Sequence, residues 1–133
     1  MVEKKAGRGN QGSYKGIWCD SSWELAWVIY NLEHNIPFER NFESFEYYFN
    51  KKKHRYFPDF KIAKNQYVEI KGVITDQLTA KIRYFPHTLI ILYEKQMKMY
   101  LEYVREKYGK NYITLYDSGV DERFSHQTDI LSS

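Results

Sequence analysis

The sequence predicts a mixed α/β domain, a central mixed β-sheet flanked by helices, and three patterns carry that prediction. The stretches "CDSSWELAWVIYNLEHN" and "EKQMKMYLEYVREKYG" repeat apolar residues at helical spacing. "RYFPDFKI" and "QYVEIKG" read as two strands joined by a tight turn near Lys64-Asn65, an antiparallel hairpin. "TLIILY" is a short apolar run of the kind buried on both faces of a sheet. The resulting element order, α-β-β-β-β-α-β-α-β, suggests a mixed sheet with helices packed on it.

Along the chain, residues 1–16 are rich in Gly, Lys and polar side chains and are expected to form a flexible basic arm. A folded domain over 17–116 and an acidic, irregular tail over 117–133 follow. Ser21 with Glu24 makes a capping-box pattern, and Leu25, Val28, Ile29 and Leu32 share one stripe, so the first helix should be largely buried. Pro37 closes it by disfavouring the helical region at Ile36, and "FERNF" and "FEYYF" read as extended chain. "KKKHR" reads as a basic turn ahead of the hairpin. Thr75 to Phe85 forms a short helix ending at Pro86. The clearest amphipathic helix follows, with Met97, Leu101, Val104 and Tyr108 on one stripe and Gly109 as its stop, and "NYITLY" adds a last strand.

A chain of 133 residues fits one domain with its own core. Aromatic residues reach 18%, including 13 tyrosines. Cys19 is the only cysteine, which excludes an internal disulfide and a Cys-rich zinc site. It reads as a small buried apolar residue, and the tryptophans Trp18, Trp23 and Trp27 read as core. No apolar run approaches the ~18 residues of a membrane helix, and "MVEKKAGRGNQGSYKG" lacks the apolar stretch of a secretory signal. The expectation is a cytoplasmic, intracellular protein with no membrane partner.

The net charge of +3 is modest but unevenly placed. Lys4, Lys5, Arg8 and Lys15 face a single acid, Glu3, in the arm, and Lys51, Lys52, Lys53 and Arg55 flank His54 with no acid among them. The tail has Asp117, Asp121, Glu122 and Asp129 against Arg123. Clustered cations suit a phosphate backbone, so these residues are candidate DNA contacts; a solvated basic turn is the alternative.

The chemistry gathers on the hairpin. Alternation puts Tyr67, Glu69 and Lys71 on one face of their strand and Val68 and Ile70 on the other. With the turn near Lys64-Asn65, Asp59 lies level with Glu69 on the neighbouring strand. Two carboxylates this close repel unless a proton or a cation separates them, and hard oxygen ligands suit Mg²⁺ or Mn²⁺. A lysine beside them holds a phosphate or a water. Such a centre fits phosphodiester hydrolysis. The plainer alternative is a solvated Asp–Lys–Glu ladder, each pair worth less than about 1 kcal/mol.

"YFPDF…YVEIKG" resembles the signature of the PD-(D/E)xK nuclease superfamily, with "SSWEL" placing Glu24 on the preceding helix where members carry a further acid. With its basic arm, the chain looks most like the bacteriophage endonuclease I group, Holliday junction resolvases that cut four-way DNA. The resemblance covers residues 14 to about 92 and implies a restriction-endonuclease-like core. It implies Glu24, Asp59, Glu69 and Lys71 as catalytic residues. Glu24, Asp59, Glu69 and the Ile70 carbonyl would hold one or two Mg²⁺ or Mn²⁺ ions, and the chain would act as a homodimer on DNA. The helix from Gln96 and the acidic tail have no counterpart in it. Phage-type homing endonucleases use the same core on a specific duplex site, and a non-catalytic nucleic-acid-binding module is the reading from another class. Glu24 also keeps its simpler role as a helix cap.

Overall fold

The first helix, α1 (Ser22–Glu33), starts where the side chain of Ser21 accepts the Glu24 N–H at 3.2 Å. The capping box is half made, because Glu24 Oε1 accepts the Asp20 N–H at 3.0 Å. The helix stops before Pro37: Asn35 turns to φ 57° and the chain leaves in an extended path. The computed structural model describes residues 10–117. Lys4, Lys5, Arg8 and all of the tail beyond Asp117 lie outside them.

Residues 12–16 belong to the fold, where the sequence suggested an arm. Strands β1 (Gly12–Tyr14) and β2 (Ile17–Cys19) pair through Lys15-Gly16, both at positive φ, the backbone of a tight hairpin turn. Asp117 accepts the N–H groups of both turn residues at 3.2 Å. The Tyr116 ring lies so close over Gly12 that an added Cβ would meet it at 2.7 Å, which only glycine avoids. Side-chain bulk and hydrogen bonds distant in sequence order this segment, and no local pattern announces them.

Strand β3 (Glu39–Arg40) follows, then β4 (Phe45–Phe49) and β5 (Lys52–Tyr56), paired as a separate ribbon with Asn50 and Lys51 at positive φ in its turn. The "KKKHR" run is therefore mostly strand, with only Lys51 in the turn. "RYFPDFKI" divides at Phe57-Pro58-Asp59, since proline carries no N–H for a ladder, and β6 (Phe60–Ala63) begins after it. β6 pairs antiparallel with β7 (Gln66–Ile70). Helix α2 (Asp76–Tyr84), capped by Thr75, crosses to β8 (Thr88–Leu92), which runs parallel to β7. Helix α3 (Glu94–Tyr108) ends at Gly109 with φ 91°. The sheet order β3-β6-β7-β8 mixes both pairings, giving the mixed α/β fold.

Two expectations give way. β8 is an edge strand with an exposed Ile90 and no residue fully buried, so its apolar run marks one covered face only. "NYITLY" forms a 3₁₀ turn over Tyr112–Leu115, docked by Tyr112 Oη donating to the Ser22 carbonyl at 2.8 Å. β-Branched and aromatic content alone does not make a strand when no sheet edge is within reach.

The core lies between the sheet and the pair α1 and α3. Leu25, Val28 and Ile29 meet Phe60, Val68 and Ile70 from the sheet and Met97, Leu101 and Val104 from α3. Trp27 stacks on Phe60 with ring centroids 4.5 Å apart; losing a ring so buried costs about 3–5 kcal/mol. A polar staple closes the same helix pair: Tyr103, Tyr108 and Lys107 all donate to Glu33. Burial works against that charge, but the three donors outweigh it and hold the Glu33 carboxyl down to about 2. On the opposite sheet face Tyr67 packs edge-on against Phe45 and Phe85, so the ribbon and the end of α2 cover it. Among the described residues no helix is long and apolar enough to cross a membrane.

Candidate active site

Four elements converge at the Pro58-Asp59 bend. Phe60 pairs with Val68, which carries Asp59 alongside Glu69, and Arg40 pairs with Phe60 from the other side. The Asp59 Oδ2 atom accepts the Ile70 N–H at 2.8 Å, tying the bend to the end of β7. Glu24 enters from the first turn of α1. The three acids named from the sequence are all buried: Glu24 is 3% exposed, Asp59 8% and Glu69 7%. This disposes of the solvated ladder, because surface ion pairs need no burial and a buried carboxylate is costly without partners.

The partners include two residues that the sequence did not single out. Arg40 donates to Glu24 Oε1 at 2.6 Å and to Asp20 Oδ2 at 2.7 Å, and its Nη2 stands 4.0 Å from Asp59 Oδ1. Its guanidinium also lies 5.0 Å from the centre of the Phe60 ring. Carboxylate oxygens of Asp20, Glu24 and Asp59 fall within 4.8 Å of one another, close enough to share one cation; Glu69 is outside that trio. Its Oε1 accepts the Tyr56 hydroxyl at 2.9 Å. "ER" in a short extended stretch has no feature that marks Arg40, and only the pairing of β3 with β6 brings it to the acids.

Electrostatics follow from burial and crowding. Desolvation lifts Asp59 well above the usual carboxylate range, and Glu69 and Glu24 lift it further, against the Ile70 N–H and Arg40. Glu24 is raised by burial, with Arg40 and the Asp20 N–H opposing. Burial brings Glu69 to about 7, although Tyr56, Lys81 and Lys71 pull it down. Lys71 is half-buried directly after β7, its N–H donating to the Leu92 carbonyl at 3.0 Å. Lys81 reaches over from α2 and sits 4.9 Å from the Tyr56 ring centre. The catalytic residues expected from the sequence thus share one electrostatic neighbourhood.

No family model, curated protein or solved structure matches the chain. The site rests on its own geometry.

That geometry fits a divalent cation. Asp59 Oδ1 has its nearest guanidinium nitrogen at 4.0 Å, beyond hydrogen-bond reach, so a buried carboxylate oxygen retains lone pairs toward the cluster. The donors are hard oxygens, the set that Mg²⁺ and Mn²⁺ prefer. The Ile70 carbonyl belongs to the residue whose N–H Asp59 already holds.

The remaining candidates divide between surfaces. Lys15 lies exposed at the β1–β2 turn. Lys51, Lys52, Lys53 and Arg55 are exposed on the ribbon, whereas His54 turns inward, stacked on Tyr47 and bonded to the Phe49 carbonyl at 3.1 Å. Strand alternation separates His54 from the cationic face that its neighbours form. Cys19 is fully buried and free, its thiol pushed up to about 12 first by burial. Trp27 is core, but Trp18 is 45% exposed and donates to Asp20.

Proposed function

We propose that this chain is a metal-dependent DNA endonuclease of the PD-(D/E)xK kind, acting on four-way or otherwise branched DNA. The observation that carries the reading is the meeting of Pro58-Asp59, Glu69-x-Lys71 and Glu24, three buried carboxylates from separate elements beside a lysine. Glu24 and Asp59, with Asp20 beside them, would hold Mg²⁺ or Mn²⁺, and Glu69 and the Ile70 carbonyl, outside that trio, would have to draw in to complete the set. A bound ion of this type supplies an activated water and neutralises charge building on the phosphate.

The chain's own residues set the stage for that chemistry. Asp59 is oriented by the Ile70 N–H and Glu69 by the Tyr56 hydroxyl, so each carboxylate is held by a fixed donor. Lys71 orients the attacking water or counters charge on the phosphate. Arg40 balances Glu24 and Asp20 and keeps the cluster folded at neutral pH.

Single-turnover cleavage and DNA binding of Asp59→Asn and Lys71→Ala test the reading. Asp59→Asn keeps the side chain's size but removes a charged ligand; metal should bind weakly and cleavage should fall about a hundredfold or more while DNA binding persists. Lys71→Ala should slow cleavage with metal affinity retained. Folded variants that cut at the parent's rate, or a parent active in EDTA, would remove the hairpin from the chemistry.

A further inference from the structure

Two aromatic rings beside this site have no role in the metal chemistry. Phe42 is 82% exposed and Phe57 55%. Neither ring meets another ring or a cation among the described residues. The backbone next to both is pinned. Phe57 directly precedes Pro58-Asp59, and Asn41, just ahead of Phe42, donates its N–H to the Asp59 carbonyl at 3.0 Å. The buried Asn41 side chain is wholly engaged in this loop: Nδ2 donates to the Pro58 and Glu43 carbonyls at 2.9 Å, and Oδ1 accepts the Glu43 N–H at 3.0 Å. Folding gains little from burying so small a part of Phe42 and only about half of Phe57. The same clamp fixes the Pro58-Asp59 bend and, with it, the backbone that carries Phe42 beside the site.

Strand β5 and the residue after it give a second observation. Exposure alternates there: Lys53, Arg55 and Phe57 face solvent while His54 and Tyr56 face inward. Lys53 and Arg55 therefore follow one another along one face, about 6.6 Å apart, with Phe57 just past the end of the strand and next to the Pro58-Asp59 bend. Glu46, opposite Arg55 and 3.7 Å from Lys53, tempers this charge without cancelling it.

We propose that Phe42 and Phe57 form a stacking platform for unpaired nucleobases, on a DNA strand whose phosphates lie along Lys53 and Arg55. The ligand class is DNA with unstacked bases near the cut, as at a branch point, and not a continuous duplex whose bases present no free face. The inference rests on the nuclease reading of the adjacent carboxylates. Charge selects the occupant: lysine is depleted in the centre of protein interfaces, whereas a ring beside a row of cations matches a base beside its phosphates.

The probe is 2-aminopurine at the branch point of a four-way junction, and at the same position in a fully paired duplex, with EDTA present to prevent cleavage. The parent chain should quench the junction probe. Joint Phe42→Ala and Phe57→Ala substitution should abolish quenching and weaken junction binding about tenfold per ring, leaving duplex affinity within about twofold. Restoring an aromatic as Phe57→Trp should return quenching. Because both rings are exposed their loss should spare folding, which circular dichroism checks. Equal weakening on both DNAs, unchanged junction affinity, or a shift from dimer to monomer in the double variant overturns the platform; the last would make the patch a contact between copies. A parent that quenches the probe yet cuts nothing in Mg²⁺ supports the platform and removes the phosphodiesterase reading. A double variant that cleaves and binds junctions as the parent does removes the platform and leaves the centre intact.

Discussion

Glu69 shows how burial turns one carboxylate into a pH-dependent element of stability. Its proton is held up to about 7 in the folded chain against 4.5 ordinarily, chiefly because the charged form is desolvated. A raised carboxylate favours the folded state when protonated. The contribution is complete below the ordinary value of 4.5 and disappears as pH rises through about 7. Asp59 and Glu24 shift in the same direction. In EDTA the melting temperature should therefore fall between about pH 5 and about pH 8, and Glu69→Gln should show a shallower fall. A parent profile that is flat, or a variant with the parent's slope, would mean that these carboxylates are not desolvated as described. Mg²⁺ at the upper end of the range should restore the lost stability by binding the folded state alone.

Strand β5 links sequence to electrostatics at the level of an element. Its positive-φ turn at Asn50-Lys51 sets the register with β4, and that register sends Lys53 and Arg55 outward and Tyr56 inward to Glu69. One strand thus supplies both the outer cations and an inner hydrogen-bond donor. Replacing Lys52, Lys53 and Arg55 by glutamine should reduce the slope of log K against log salt for DNA binding by about 0.9 for each phosphate that the protein no longer neutralises. Tyr56 and the metal affinity should be untouched. An unchanged slope would leave these cations as solvated bystanders.

For the whole molecule, the endonuclease reading predicts a preference of shape over sequence. A four-way junction should be bound more tightly than linear duplex of the same sequence, by a two-fold dimer, because a branched backbone is recognised by charge and geometry without base-edge contacts. Gel-shift competition with sedimentation measures both. A dominant cut at one duplex sequence would instead favour the homing-type reading, and binding without cleavage in Mg²⁺ or Mn²⁺ would favour a non-catalytic DNA-binding module.

By itself the sequence determined the elements whose causes are local. Ser21 caps α1, the apolar stripe of α3 ends at Gly109, the turn at Lys64-Asn65 joins β6 to β7, and period-two alternation puts Asp59 level with Glu69. Each needs only a few neighbouring residues, so each is written in a short window. The tertiary structure decided what depends on distant contacts. It made the end of the basic arm a strand by placing the Tyr116 ring on Gly12 and Asp117 on the Lys15-Gly16 turn. It left β8 at an edge and made "NYITLY" a 3₁₀ turn. Above all it carried Arg40 and Asp20 to the buried acids and turned His54 away from the cations beside it. The charge balance of a buried site is a sum over groups brought together by strand order and packing, and adjacency in the chain does not encode it.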